Sequence, residues 1–340
     1  MQTEQEVLDA IDGSRADRGN TKTPAAGIAG VPPPEKKRPG RPKKEVPVVP
    51  VESHGISETP LDAKNVLELT YSNPRMFKKL IQLYKQFQVG EIEMNFDKAG
   101  LKITTLDHTG KSTIYTTIDG RCMNHYYCKN PISICVSRES LERVLGTLGK
   151  NHYSIKIVLG EDHRSSMYIT VNDIEYDSSD TYNIDVMCRS PDGAAPGESH
   201  RDDDTNYPIK FSMSFQHFKT RIKNIKKLSP FFIIQKDGNK NLQITYDGPQ
   251  QVNFVGEYKD GAKIGLESRL ADNDAINVSV CIDYIRPFSN SDIGDKVFIA
   301  ADKYSKISFM TRLDKKDIGW SCYVKVFTEI KGYRPPAADD

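Results

Sequence analysis

The chain lacks an excess of charge of either sign: 47 lysine and arginine residues stand against 46 aspartate and glutamate residues, and the formal net charge is +1. This balance excludes a uniformly basic protein that would attract nucleic acid with its whole surface. Binding to a polyanion would instead need basic residues gathered on one surface, with acidic residues elsewhere. The arrangement of charges along the chain therefore matters more than their total.

Cysteine pairs and long apolar runs are also absent. The six cysteines form no CxxC pair and no metal-ligand spacing, so the sequence predicts neither a zinc site nor a redox motif, and we expect reduced thiols. The N-terminus has no apolar run typical of a signal peptide, and no segment is long and apolar enough to cross a bilayer. These features favour a soluble intracellular protein.

Catalytic and cofactor-binding motifs are missing as well. The sequence contains no GxxxxGK[ST] loop, no GxGxxG turn, no HExxH pair and no GxSxG elbow. The seven histidines are isolated, and we expect His108 and His125 to be loop or hydrogen-bonded structural residues. The sequence therefore predicts a protein without enzymatic activity, cofactor or metal.

The chain does contain an amphipathic helix with a basic side. Residues 74–87, PRMFKKLIQLYKQF, place apolar side chains at i, i+3, i+4 and i+7 counted from Phe77. Asn73 followed by Pro74 is typical of a helix start. The opposite side carries the lysines Lys78, Lys79 and Lys85. A basic face of this kind is often only a solvated surface, so its meaning depends on whether it recurs.

The design does recur in the second half of the chain. Residues 215–228 form a second predicted helix whose polar side carries Lys219, Arg221, Lys223, Lys226 and Lys227. Each basic helix follows a strand and precedes a meander of strands, a shorter helix (138–148 or 282–289) and further strands. This repeated order predicts an internal duplication into two similar α+β domains.

Segments without a core-forming pattern bound these two domains. Residues 1–65 carry nine of the 19 prolines and are predicted to be a disordered tail. Residues 189–206 are polar and acidic and are predicted to be an exposed connector. The predicted domains span residues 66–188 and 207–330, and a short C-terminal tail follows at 331–340.

The N-terminal tail contains the basic segment KKRPGRPKK at residues 36–44. Its prolines keep the backbone extended, and its PGRP core resembles the AT-hook family, in which arginines enter the minor groove of A·T-rich DNA. The DNA-binding residues of this interpretation are Lys36, Lys37, Arg38, Gly40, Arg41, Lys43 and Lys44. A nuclear-import signal and a solvated basic run remain open as alternatives, because they need the same residues.

From about residue 67 to residue 330, the sequence resembles the sliding-clamp family, the proliferating-cell-nuclear-antigen type of polymerase processivity factor. The resemblance rests on FKKLIQLYK, GLKITTLDHTGKSTIYTTI and ISICVSRESLERVLGTLGKNHYSIKI in the first half, and on INVSVCIDYIRPFSNSDIGDKVFIAA in the second. The combination of YSNPRMFKKL and TIDGRCMNHYY with the basic tail is similar to the divergent clamps of African swine fever virus and related large DNA viruses.

This resemblance implies a homotrimeric ring around duplex DNA, with strands outside and helices lining the hole. The DNA-facing residues that it implies are Lys78, Lys79, Lys85, Arg138, Arg143, Lys219, Arg221, Lys223, Lys226, Lys227 and Arg286. Two positions depart from the family pattern. Gly146 stands where cellular clamps carry a basic residue, and Pro287 is expected to kink or shorten the fourth helix.

The resemblance also implies partners. Ring closure would pair the strand at 181–188 of one chain with the strand at 250–258 of the next. DNA polymerase and other replication or repair enzymes would dock near Leu106, Thr328, Glu329 and Ile330, and a clamp loader remains open. Thr328 and Glu329 replace the Ala-Pro of cellular clamps, so we expect the usual clamp-binding peptide to bind weakly.

Two other functions fit the same residues. The chain could work as an open monomer or dimer that holds DNA on one basic face, or as an AT-hook transcription or chromatin factor built on a clamp fold. Sequence preference in DNA binding would favour the second. The implied location is the nucleus or a cytoplasmic viral factory of the host cell.

Overall fold

The computed structural model describes residues 55–72, 74–148, 152–162, 165–173, 176–189, 207–238, 240–246, 254–258, 260–261, 264–271, 274–302, 307–313 and 322–330. The tail motif at 36–44, the N-cap predicted at Asn73 and most of the predicted connector lie outside these residues. The longest helix of the described chain has 13 residues, and none of its helices is long and apolar enough to cross a membrane.

The first half opens with a strand and a basic helix, β1 (Asn65–Tyr71) and α1 (Pro74–Gln86). Five strands follow, namely β2 (Glu91–Asp97), β3 (Gly100–Leu106), β4 (Ser112–Asp119), β5 (His125–Cys128) and β6 (Ile132–Ser137). The half ends with α2 (Arg138–Gly146), β7 (His152–Gly160), β8 (Ser166–Asp173) and β9 (Ser178–Arg189).

The second half repeats this order, beginning with β10 (Ile209–Ser214) and α3 (Phe215–Lys226). Its next strands are β11 (Phe231–Asp237), β12 (Leu242–Tyr246), β13 (Phe254–Tyr258), β14 (Gly265–Ser268) and β15 (Ala275–Cys281). It ends with α4 (Ile282–Asn290), β16 (Lys296–Ala301), β17 (Ile307–Arg312) and β18 (Cys322–Thr328).

The two halves share one sheet. Its strand order is β14-β10-β16-β17-β18-β4-β3-β2-β6-β9-β8-β7-β1-β5, and a separate sheet has the order β13-β12-β11-β15. The halves join where β18 pairs antiparallel with β4, from Cys322 opposite Ile118 to Thr328 opposite Ser112. We call this pairing the internal joint. Every pair between these strands is antiparallel, as expected for a fold built of meanders.

The core forms because strands and helices bury matching apolar faces. Alternate residues of β2 are buried, as the two-residue period of a strand requires. α1 buries the predicted stripe that begins at Phe77, and α3 buries Phe218, Ile222 and Ile225. Most of the buried apolar side chains of both halves form one continuous cluster. The architecture is therefore α+β, with four α-helices among the described residues packed against mostly antiparallel sheets, as the sequence predicts.

Most predicted elements are present, with small changes at their ends. The sequence did not predict β5 and β14, two four-residue strands at the edges of the large sheet. The expected shortening of the fourth helix is wrong, since α4 continues through Pro287 to Asn290 and has nine residues, the same length as α2. Ile282, Ile285 and Phe288 are buried in α4, and this packing holds the helix despite the proline.

Candidate nucleic-acid interface

The four helices lie in a row, because α1 contacts both α2 and α4, and α4 contacts α3. The row therefore runs α2-α1-α4-α3 across the two halves. The helices carry eleven lysines and arginines and only three aspartates and glutamates, although the whole chain has a net charge of only +1. The positive charge is thus concentrated on the helices, as binding to a phosphate backbone requires.

Lys78 is half-buried, and its ammonium group forms hydrogen bonds with backbone carbonyls. Its Nζ donates to the carbonyl oxygens of Gly146 and Leu148 at 3.4 and 3.1 Å. These carbonyls lie at and beyond the C-terminal end of α2, where a positive charge is favourable. Lys78 therefore ties α1 to α2 and contributes less to the free surface than its sequence position suggests.

Lys79 and Lys219 meet at the same residue, Asp292, which follows α4. Lys79 Nζ donates to the backbone oxygen of Asp292 at 2.8 Å, and Lys219 Nζ lies 2.8 Å from both carboxylate oxygens. Asp292 has a φ of 48°, in the left-handed region that aspartate and asparagine tolerate best. One acidic residue thus links a helix of the first half to a helix of the second.

Lys85 and Arg138 share a second acidic partner, Glu142. Lys85 Nζ lies 2.5 Å from the Glu142 carboxylate, which also accepts a hydrogen bond from Arg138. The hydrogen bond from Lys85 is the main reason why the pKa of Glu142 is lowered. Arg138 is only 19% exposed and also donates to the carbonyl of Val89 at 2.8 Å, so its charge is largely used inside the structure.

Arg143 is the most exposed of the arginines in α2, at 78%. It forms an i,i+4 ion pair with Glu139 at 2.7 Å. Such exposed pairs contribute little to stability, about 0.3–0.5 kcal/mol, so a phosphate can replace Glu139 at low cost. Gly146, the departure noted in the sequence, ends this helix, and a Cβ placed there would meet nothing within 4 Å.

Arg221 lies at one end of the row, over the aromatic ring of Tyr258. Its guanidinium carbon is 6.0 Å from the ring centroid, and its Nε lies 3.5 Å from His217 Nε2. Burial lowers the pKa of His217, and the positive charge of Arg221 lowers it further. Arg221 is half-buried and therefore lies at the edge of the helical surface, against strand β13.

The last turn of α3 and the residue after it hold the most available cations. Lys226 forms an ion pair with Asp283 at 2.8 Å, and Arg286 lies 3.8 Å from the same carboxylate. Lys223 and Lys227 are exposed, and neither forms an ion pair with any residue that the structure describes. These two lysines are consequently the strongest candidates for phosphate contacts.

Sequence reasoning missed the acidic residues that accompany the cations, namely Glu139, Glu142, Asp283 and Asp292. The i,i+4 spacing of Glu139 and Arg143 is a signal that could have found one pair. Lys219 and Asp292 are 73 positions apart, and no local spacing predicts such a contact.

The predicted docking residues lie in different environments. Leu106 is 50% exposed, whereas Thr328 is fully buried and Ile330 is 9% exposed. Thr328 Oγ1 lies 3.2 Å from Ser112 Oγ, inside the internal joint. Glu329 pairs with Lys111 at 2.9 Å, which raises the pKa of that lysine. Leu106 and Glu329 are therefore accessible at the surface, whereas Thr328 lies inside the internal joint.

The predicted ring-closing strands both have an open side among the described residues. β13 pairs only with β12 and ends its sheet. β9 pairs with β8 over residues 178–185, but its other side is taken by β6 over residues 186–189. The range predicted for this contact, 181–188, is therefore partly wrong: the open edge comprises residues 178–185. Residues 250–253 of the second range lie outside the described chain.

Comparison with known proteins gives three consistent similarities, one to a protein family and two to individual proteins. Residues 66–193 match the family described as proliferating cell nuclear antigen, N-terminal domain. The chain is 24% identical over 283 residues to an uncharacterized protein of African swine fever virus, covering 82% of this chain and 94% of that protein. It is also 22% identical over 287 residues to proliferating cell nuclear antigen 1 of Plasmodium falciparum, covering 81% of this chain and 98% of that protein.

Proposed function

Because residues 66–193 belong to the proliferating cell nuclear antigen family and the chain has the sliding-clamp fold, we propose that it is a non-enzymatic DNA sliding clamp. In this role it encircles duplex DNA and tethers a DNA polymerase and other replication or repair enzymes. The tether raises the local concentration of the enzyme at its template. The work takes place in the nucleus or in a cytoplasmic viral factory.

One observation carries the proposal: the helices of both halves form a single row with eleven basic and three acidic residues. Cations aimed at phosphates hold DNA without reading its sequence. A protein that must slide needs this kind of contact, because every base pair then gives the same binding energy. The exposed cations Lys223 and Lys227 are the first contacts that we assign to DNA.

The internal joint supplies a template for ring closure. β18 is the last strand of the second half, and it pairs with β4, the third strand after the first basic helix of the other half. Their counterparts by element order are β9 and β13, whose edges are open among the described residues. Pairing β9 of one chain with β13 of the next therefore repeats a contact that the fold already makes. Closure after three chains gives the proposed homotrimer.

The repeat also gives the register of this contact. Val136 pairs with Val186 in the first half, and Val280 bridges to Ile330 in the second, so residues 186 and 330 are equivalent. In the same way, Leu101 lies opposite Ile118 and Leu242 lies opposite Tyr258, so residues 118 and 258 are equivalent. Carrying the register of the internal joint across these equivalences places three pairs opposite one another, namely Ser178 and Tyr258, Asp180 and Gly256, and Tyr182 and Phe254.

The basic tail is assigned a supporting role. With its PGRP core, the segment at 36–44 would hold A·T-rich DNA before or beside ring loading. Deleting residues 1–60 should weaken binding to linear A·T-rich duplex and have a smaller effect on G·C-rich duplex. Equal affinities of the full and shortened chains for A·T-rich duplex would show that the tail is not an AT-hook.

Partner enzymes are assigned to the surface around Leu106 and Glu329. Phe327 shares the sheet face of Leu106, because Thr113 lies opposite both. Phe327 forms a small buried cluster with Tyr207 and Ala300, against which Tyr115 packs. The Lys111–Glu329 ion pair makes this surface more polar than an apolar peptide pocket. Calorimetry with a standard clamp-binding peptide should therefore show weak binding, and tight binding would refute this part of the proposal.

Solution mass is the measurement that tests the proposed clamp. Light scattering over a range of concentrations, on the chain without residues 1–60, should give the mass of three chains. The mass of a single chain at every concentration would rule out the ring and favour a protein that holds DNA on one basic face.

A further inference from the structure

The internal joint and the chain-to-chain joint share a backbone design but differ in their side chains. The inference from this difference rests on the proposed ring, because only in the ring does β9 of one chain meet β13 of another. The equivalent helix positions follow from the buried stripes, in which Phe77, Ile81 and Tyr84 of α1 correspond to Phe218, Ile222 and Ile225 of α3.

The side of α1 that faces the internal joint is apolar. Met76, Leu80 and Leu83 of α1 are between 0% and 3% exposed, and they lie on the side of α1 where Lys79 reaches across to the second half. The equivalent positions of α3 are His217, Arg221 and Asn224. His217 and Arg221 are half-buried and Asn224 is exposed, so the corresponding side of α3 is polar.

The face of β18 that carries residues 322, 324 and 326 is apolar too. Cys322, Val324 and Val326 of β18 are fully buried. Their equivalents in β9 are Ser178, Asp180 and Tyr182. Alternation along the strand places these three on one face, and the hydroxyl of Tyr182 lies 3.3 Å from Thr147 Oγ1 at the end of α2. This face therefore looks toward the helices.

The proposed register brings opposite charges together. Asp180 would stand opposite Gly256, which has no side chain to fill the space beside it. Arg221 lies over Tyr258, two residues further along β13, with its guanidinium carbon 6.0 Å from the ring. His217 packs edge-on against the same ring, with centroids 5.9 Å apart. An aspartate of one chain would thus enter a site formed by an arginine, a histidine and a tyrosine of the next.

We propose that Asp180 of one chain forms an ion pair with Arg221 of the next, and that this polar contact makes the chain-to-chain joint salt-sensitive while the internal joint stays permanently closed. The occupant of the site at α3 and β13 is then a second copy of this chain, specifically its strand β9. A ring with polar joints between chains can open there for loading onto closed DNA without unfolding either half.

A charge exchange tests the pair directly. In light scattering at low salt, Arg221→Asp and Asp180→Arg should each raise the dissociation constant of the joint roughly thirtyfold or more, because each places like charges opposite one another. The double variant Arg221→Asp with Asp180→Arg should restore the three-chain mass. Lys223→Glu is the matched control, since it makes the same charge change two residues along the same helix, and it should leave the mass unchanged.

A second variant covers the case in which a charge reversal prevents folding, as judged by circular dichroism. Arg221→Leu with Asp180→Val copies the internal joint, and it should remove most of the salt dependence of assembly. Three results would each refute the proposed ion pair between Asp180 and Arg221. They are a three-chain mass for both single variants, failure of the folded double exchange to form three-chain assemblies, and unchanged salt dependence in Arg221→Leu with Asp180→Val. A single-chain mass for the unaltered protein would instead overturn the proposed ring itself.

Discussion

The ammonium group of Lys79 lies 2.8 Å from the backbone oxygen of Asp292, a residue 213 positions further along the chain. The same aspartate binds Lys219 through its carboxylate. Two cations assigned to DNA are thus held by one acidic residue on the helical surface. Its carboxylate is 60% exposed, so in the proposed clamp it would compete with DNA phosphates for Lys219.

Replacing this carboxylate should strengthen DNA binding. Asp292→Asn keeps a residue that tolerates a positive φ and removes the charge, which frees Lys219 for phosphate. The slope of log affinity against log salt for linear duplex should steepen by about 0.9, the value for one further phosphate. Asp97→Asn, which breaks the Lys102–Asp97 pair on a strand, serves as control. Weaker binding by Asp292→Asn would mean that the aspartate positions the lysines instead.

Removing the two most available cations should weaken DNA binding. Lys223→Ala with Lys227→Ala should reduce the magnitude of the salt slope by about 0.9 for each phosphate that is no longer neutralised. The double variant Lys102→Ala with Lys129→Ala removes the same charge from outside the helices and should change the slope less. Fluorescence anisotropy over a salt series gives both numbers, and equal changes in the two double variants would contradict a helical DNA interface.

A new cation can be added at the end of α2. A Cβ at Gly146 would meet nothing within 4 Å, so Gly146→Lys should fold and place an additional positive charge on the helical row. The salt slope should steepen by about 0.9. Gly146→Ala is the control, because it brings the gain in helix propensity, about 0.5–1 kcal/mol at most, without the charge. Identical DNA binding by the two variants would exclude this end of α2 from the interface.

A buried carboxylate in the first half should make stability depend on pH. Glu68 is fully buried and accepts hydrogen bonds from the Leu61 and Asp62 amides, Asn65 and His125 at 2.6–3.0 Å. Burial raises the pKa of Glu68, but these hydrogen bonds together outweigh burial and leave the pKa below its usual 4.5.

A folded-state pKa below the unfolded value stabilises the protein at pH above about 4.5, and this contribution is lost as the pH falls through the folded-state pKa. Thermal unfolding between pH 3 and 7 should show the loss. Glu68→Gln should cost about 1–3 kcal/mol at pH 7, because buried donors lose their acceptor, and should flatten the pH profile. If the stability of Glu68→Gln depends on pH in the same way as that of the unaltered protein, a group other than Glu68 causes the pH dependence.

The two long basic helices, α1 and α3, could be predicted because each has a stripe of apolar residues at helical spacing within its own sequence. The prediction that His125 makes a structural hydrogen bond is also correct, here with Glu68. The strands β5 and β14 escape prediction because four residues are too few to show a two-residue period. The predicted range of the fourth helix, 282–289, is nearly correct, but the expected shortening at Pro287 is wrong because packing of Phe288 and its neighbours outweighs the local effect of the proline.

The charge pattern of the helical surface could be predicted only in part. Spacing along the chain identifies the lysines, but the partners of Lys85 and Lys226 lie on other helices, and the partner of Lys219 is the second residue after α4. Those pairs depend on the order in which the helices lie side by side, which no local pattern contains. The same holds for the last residues of β9, which the sequence assigns to a neighbouring chain although β6 already occupies them.

The internal joint also constrains how the protein is made. Ser112 and Thr328 touch although 216 positions separate them, so a ribosome that has finished β4 must synthesise nearly all of the second half before β18 can cover it. Throughout that interval β4 of the nascent first half pairs only with β3 and presents an open strand edge. A message truncated before residue 322 would yield a chain that never covers this edge, and such a fragment should aggregate or be degraded rather than accumulate as a folded protein.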